Sequence, residues 1–260
     1  MKARYEPIRG KDGIIVDQII SGGHQKPLGK AQNIHTQSTV QNYDIGTRLV
    51  LDDRVFRYCK AGTLGLRAML EGLDIQDSIK VYTHATISAA GTYEVTILDT
   101  IARDKDHYKG GYLWIEVKPP EPTGIGQHYR VKSSEASEGV SVKITLWEPL
   151  TYEVPASAWI EILKSIYCDL RRGINDFASL VALPLIPVDA GSYFWGQTWG
   201  PVFMQCGYNP GDKNDDREVY YKSDHFGILP GSEIDFTADF VPQRIGFLLN
   251  SNFVMLQLAP

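Results

Sequence analysis

Six histidines, His24, His35, His84, His107, His128 and His225, are the side chains best suited to proton transfer near neutral pH, and they are scattered singly. They share no metal-ligand spacing. Asp104-Lys105-Asp106-His107 sets carboxylates beside an imidazole, but the interleaved Lys105 makes it read as a charged loop. Asp212, Asn214 and Asp216 alternate like the opening of a calcium loop, which next needs a glycine for its bend and a glutamate at its twelfth position. Arg217 and Ser223 stand there instead, so this segment reads as a solvated acidic turn. Gly124-Ile125-Gly126 lacks the third glycine of a dinucleotide fingerprint and follows prolines rather than a strand. The sequence holds no nucleophile elbow, phosphate loop or zinc-protease motif. Carboxylates are plentiful, yet a glycosidase pair is defined by a separation in space that the sequence does not give. The expectation is a chain that is not an enzyme, with no catalytic residues, no cofactor and no bound metal.

Aromatic residues are the more informative signal. Trp114, Trp147, Trp159, Trp195 and Trp199, with 14 Tyr and 9 Phe, bring the aromatic share to 11%. Core packing accounts for most such residues, and an aromatic-lined carbohydrate platform is the sharper alternative. Cys59, Cys168 and Cys206 are odd in number, far apart and without a CxxC pair, so they read as reduced, mostly buried thiols.

The elements that must carry these side chains are β-strands. Arg48-Leu49-Val50-Leu51, the turn Asp52-Asp53 and Arg54 to Cys59 read as a hairpin with alternating faces. Gly65 to Leu73 predicts one short helix, because Leu66, Met69, Leu70 and Leu73 recur at three-to-four spacing. Strand candidates follow at Lys80–Thr86, Thr92–Leu98, Gly111–Val117, His128–Lys132, Val140–Leu146 and Ala158–Leu163, divided by Gly- and Pro-rich turns. Short strands so punctuated argue for a mainly β chain, an antiparallel barrel or sandwich, rather than βαβ units. Residues 1–42 are polar and Gly/Gln-rich around one apolar patch from Ile14 to Ile20. They read as a frayed terminus, or as an extended arm whose strand adds to a neighbouring sheet edge. The expected organisation is this arm, a β core over 43–177, and a β-rich part over 178–260 packed into the same domain. Strands are expected in that last part around Ser232–Phe240 and Arg244–Leu258.

A formal net charge of -5 gives no global attraction to nucleic acid or to an anionic membrane. No apolar run approaches the ~18 residues of a membrane span, and Lys2, Arg4 and Glu6 precede no apolar leader segment. A chain made and kept soluble in a cytosol is the expectation, with a particle assembled there as one final address.

Several stretches, in order, carry a resemblance. They are Ile45-Gly46-Thr47-Arg48 with Asp53 to Gly62; Gly110-Gly111-Tyr112-Leu113-Trp114-Ile115; Gly126-Gln127-His128-Tyr129-Arg130-Val131-Lys132; Ile144 to Leu150; and Ala190 to Gly200. Together they span residues 43 to 205 and resemble a group of structural proteins of environmental tailed bacteriophages. The arm and the region after Gly207 fall outside the matching stretches.

The resemblance implies a barrel-like or tulip-like capsid decoration (cement) protein, with the major capsid protein and further copies of itself, commonly as a homotrimer, as partners. Its place would be the capsid surface of the virion. Candidate structural or interface residues are Arg57, Tyr58, Tyr129, Arg130, Tyr193, Trp195, Gln197 and Trp199. Arg and Tyr are enriched at interfaces. Hydrogen bonding inside one domain is the equal alternative for the Arg–Tyr pairs. Gly191, Gly196 and Gly200 suggest tight turns around buried indoles. A phage tail or head-fibre component, and a carbohydrate-binding or glycan-cleaving β protein, stand as alternative functions.

Overall fold

The computed structural model describes residues 8–10, 13–15, 32–75, 81–117, 125–156, 158–173, 178–204, 217–222, 227–231, 242–250 and 252–260. Its strands begin with β1 (Ile8–Gly10), β2 (Gly13–Ile15), β3 (Arg48–Leu51), β4 (Arg54–Lys60), β5 (Leu73–Ile75), β6 (Val81–His84) and β7 (Glu94–Leu98). The middle of the chain supplies β8 (Ala102–Arg103), β9 (Tyr112–Val117), β10 (Ile125–Ser134), β11 (Ser137–Glu138), β12 (Ser141–Leu146) and β13 (Trp159–Leu163). The rest are β14 (Ala178–Leu180), β15 (Leu183–Pro184), β16 (Tyr193–Phe203), β17 (Glu218–Lys222), β18 (Gly227–Pro230), β19 (Gln243–Asn250) and β20 (Phe253–Gln257). The protein is therefore mainly β and antiparallel.

Two compact units divide the chain: residues 77–166 form one, and residues 1–76 with 167–260 form the other. In the first, six strands close into an antiparallel barrel in the order β10-β12-β7-β6-β13-β9. Each is one of the six strand candidates between Lys80 and Leu163. Period-two alternation drives the closure, because every second side chain must leave water. Val142, Ile144 and Leu146 of β12 are buried, as are Leu113 and Ile115 of β9, Val95 and Ile97 of β7, and Ile160 of β13. A barrel this small has an interior that side chains fill completely. The short pair β8–β11 lies beside it.

In the other unit, a large sheet runs β1-β2-β3-β4-β16-β20-β19-β17-β18, with β15 paired to β16. Its centre, β4 against β16, is covered on both faces. Phe56, Tyr58 and Trp195 belong to one apolar cluster, and Cys59, Phe194 and Ala182 to another. The expected hairpin forms as read, β3 pairing β4 from Leu51↔Arg54 to Arg48↔Arg57 across the turn at Asp52. A short pair, β5–β14, completes the unit.

Four sequence expectations change. The helix over Gly65–Leu73 does not form, and no α-helix occurs among the described residues. Its backbone finds distant partners instead: Leu66 N–H donates to Val188 O at 2.7 Å and Met69 N–H to Pro184 O at 2.7 Å. The leucines spaced as on a helix are buried one by one in an irregular strap.

The arm does not extend to residue 42. Residues 32–42 belong to the sheet unit, with Ser38 and Tyr193 exchanging backbone bonds of 2.9 and 2.7 Å and Ile34 buried. Further out, β2 pairs with β3 of its own chain through Ile14↔Val50 and Ile15↔Leu49.

The expected core over 43–177 is likewise divided. Residues 43–75 pair through β4 with β16 rather than with the barrel strands, because those two strands hold the longest antiparallel register of the sheet.

The glycine-rich stretch around Trp195 and Trp199 is one long strand, not a set of turns. Gly196 is required there because a Cβ would sit 2.7 Å from the Ala182 methyl. Gly200 has φ +95° beside the register shift at Gln197/Trp199. Only Gly191, with φ +71°, lies in a turn. The expected acidic turn at 212–216 and the strand around Ser232–Phe240 lie outside the described residues.

Candidate binding face on the barrel wall

Of the eight residues singled out from sequence, the sheet unit holds six. Tyr58 is buried, stacks with Tyr193 at 6.0 Å and meets Trp195 edge-on at 5.0 Å. Its hydroxyl donates to Gln32 Oε1 at 2.7 Å and accepts from the Asn42 N–H at 3.1 Å. Burial pushes the Tyr58 pKa up to about 12. Trp195 Nε1 donates to the Gln32 carbonyl at 2.9 Å, and Gln32 Nε2 donates to the Tyr193 carbonyl at 2.9 Å.

The buried Gln197 donates through Nε2 to the carbonyls of Trp199, Gly200 and Pro201 at 3.0 to 3.2 Å, which holds the bulge beside Trp199. Arg57 reaches the carbonyls of Gly46 and Pro260 and lies 5.8 Å from the Tyr167 ring. In the barrel, Tyr129 is buried, donating to Gln127 Oε1 at 2.7 Å and accepting from the Thr151 N–H at 2.7 Å. Arg130 follows it on β10, half-buried. Tyr58, Tyr129, Trp195 and Gln197 therefore serve the interiors of their own units. As buried groups with partners inside the chain, they offer no surface to a second copy.

Two polar clusters lie inside the barrel unit. Asp99, Arg103, Tyr82 and Tyr108 form a closed network: Arg103 Nε meets Asp99 Oδ2 at 2.7 Å, and Tyr108 donates to the same oxygen at 3.1 Å. Burial opposes ionisation of Asp99, but these bonds and the Ile101 N–H outweigh it and hold the carboxyl below its usual range. His84 is buried, with Nδ1 2.9 Å from the Pro155 carbonyl and Nε2 3.2 Å from Ser88 Oγ. A carbonyl only accepts, so Nδ1 carries the proton and Nε2 takes the Ser88 hydroxyl. Desolvation lowers the His84 pKa against that carbonyl bond. Both clusters tie barrel segments together. Among the described residues, no group of three or more His, Cys, Asp or Glu is placed to hold a metal ion, and no helix is long and apolar enough to cross a membrane.

The outer wall of the barrel carries a group of solvent-exposed aromatic side chains; in the sheet unit Phe203 and Phe253 are exposed as well. Inward aliphatics on β9 and β13 force their neighbours outward: Tyr112, Trp114 and Glu116 on β9, and Trp159, Glu161 and Leu163 on β13. Tyr112 is 45% exposed, Trp114 37% and Trp159 50%. Register sets Trp114 opposite Glu161 and Glu116 opposite Trp159, a chequerboard of indoles and carboxylates. On the other flank, β10 sets His128 opposite Trp114, and Gly126 opposite Glu116.

Two of the rings are held in place. A Cβ at Gly126 would come within 2.5 Å of Trp114 Nε1, so this indole lies across the glycine. Tyr112 stacks on the His128 imidazole at 5.3 Å and 13°. The β12–β7 wall is different, with Lys143 paired to Glu135 at 2.8 Å and to Glu94 at 3.6 Å.

Sequence reasoning noticed Trp114 and Trp159 but did not join them to Glu116, Glu161 or His128. The signal was there in Tyr112-Leu113-Trp114-Ile115-Glu116 and Trp159-Ile160-Glu161. Aliphatics at alternate positions claim the inside, so the aromatics between them must face out.

No protein-family model matches the chain, and no curated protein or solved structure matches it either.

Proposed function

We propose that the chain is a structural virion protein that decorates the capsid of a tailed bacteriophage as a homotrimer and stabilises the expanded shell. The ordered motifs between residues 43 and 205 suggest the class. The observation that carries the reading is the position of the N-terminal strands. β1 and β2 extend the large sheet beyond β3, so the chain's first strands act as a sheet-adding arm. The same register, Ile14 on Val50, is available to the arm of a neighbouring copy, and exchange of an identical element is a low-cost route to closed oligomers.

A shell-binding protein of this kind works by mass action, binding the expanded lattice better than the unexpanded one. The test is light scattering on the purified protein beside a pull-down on mature capsids of the parent phage. The expected result is a trimer that coats capsids, with both properties weakened when residues 1–15 are removed. A monomer that ignores capsids would overturn the reading.

A further inference from the structure

We infer that the barrel wall built by β9, β10 and β13 is a binding platform for a neutral polysaccharide chain. This goes beyond the decoration role and does not depend on it.

A pyranose ring has an apolar C–H face and a rim of hydroxyls. It is met by an aromatic face and by acceptors set beside that face. The wall supplies both in alternation. Tyr112 and Trp114 stand two residues apart on one strand, about 6.6 Å along it. Trp159 sits diagonally across on β13, beside Glu116, and Glu161 sits beside Trp114. Each indole thus has a carboxylate next to it that can accept from a sugar hydroxyl. The rings are prearranged by Gly126 under Trp114 and by His128 against Tyr112, which limits the entropy lost on binding.

Charge narrows the occupant. Glu116 and Glu161 flank both indoles and repel an acidic glycan, while hydroxyl groups satisfy them without a counter-charge. A second protein surface would have to bury the same two carboxylates, and glutamate is depleted from the cores of protein interfaces. The opposite wall has no such arrangement, since Glu94 and Glu135 there are engaged by Lys143. A neutral, hydroxyl-rich chain fits the two indoles, Tyr112 and the two carboxylates, with Arg130 half-buried opposite Tyr112 at the end of the face beyond them.

Calorimetry and tryptophan fluorescence on the full-length protein test this, with cellohexaose, xylohexaose and chitohexaose as neutral probes and an oligogalacturonate as the acidic one. Binding of at least one neutral probe is expected, with a change in emission and no binding of the oligogalacturonate. Trp159→Ala should weaken that binding about tenfold. Glu161→Gln, which keeps the size of the side chain, should weaken it by a smaller factor. Circular dichroism would confirm that both variants are folded, as expected for exposed positions. The proposal is overturned if no neutral probe binds, if both variants bind like the parent, or if the oligogalacturonate binds better. It is equally overturned if Trp159→Ala lowers the mass seen by light scattering, since the face would then be a contact between copies.

Discussion

Tyr58 donates its hydroxyl hydrogen to Gln32 Oε1 across 2.7 Å, joining a central strand to a residue that sequence alone would place in a terminal arm. Gln32 also accepts from Asn42 Nδ2 at 3.0 Å and from Trp195 Nε1 through its carbonyl, and donates to the carbonyls of Thr36 and Tyr193. One side chain and its carbonyl thus accept from the Tyr58 hydroxyl and the Trp195 indole N–H and also hold the Tyr193 backbone. Gln32→Ala should destabilise the sheet unit by about 2–3 kcal/mol, because it removes the acceptor of the Tyr58 hydroxyl and of Asn42 Nδ2 together with the donor to the Thr36 and Tyr193 carbonyls. Tyr58→Phe removes one hydroxyl, leaves Gln32 Oε1 still bonded to Asn42 Nδ2, and takes an acceptor from the Asn42 N–H, so it should cost about 1 kcal/mol. Urea unfolding of the two variants checks the order, and a larger loss in Tyr58→Phe would contradict it.

Gly196→Ala should cost about 1–3 kcal/mol by overpacking, since its Cβ would lie 2.7 Å from Ala182 Cβ and 3.2 Å from Cys59 Sγ. Replacing Ala182 with Gly in the same chain should recover part of the loss. A double-mutant cycle by thermal unfolding measures that coupling, and strict additivity would show that the two sites do not meet.

Acid should loosen the barrel in two stages. His84 has a lowered folded pKa, so the unfolded chain takes up the proton first and stability falls as pH drops below about 6.5. Asp99 is also depressed, and its contribution, present above about 3.9, is lost as pH falls through the folded value. Denaturant midpoints of the barrel transition between pH 7 and 2 should show both losses. His84→Gln should remove the upper stage and Asp99→Asn the lower. Retention of either stage in its variant would assign that stage to another group.

Cys59 should resist alkylation in the native protein. Its thiol is buried on one face of the β4–β16 centre in the cluster with Ala182 and Phe194, and burial pushes its pKa far above that of a free thiol, although the Gly196 backbone favours the thiolate. Iodoacetamide labelling followed by peptide mass spectrometry should mark Cys59 only after denaturant is added. Fast labelling in buffer would mean that the β4–β16 centre opens on that timescale.

The six barrel strands and the β3–β4 hairpin are legible in the sequence because each depends on local alternation and turn chemistry. The helix expected over Gly65–Leu73 fails for the converse reason. Three-to-four spacing of leucines records only that those residues are buried, and distant carbonyls at Pro184 and Val188 decide what the backbone does. The aromatic face was half legible: period two sends Trp114 and Trp159 outward, but nothing local says that β9 and β13 are neighbours. The sequence by itself determined strand content, the alternation that makes a barrel wall, and the glycines that a close strand packing needs. Only the tertiary structure decided that Gln32 bonds to the central strands, that 77–166 form a separate unit, and that Trp114 and Trp159 each gain a carboxylate beside them. Those relations depend on the register between strands far apart in sequence, which global packing sets and no local window contains.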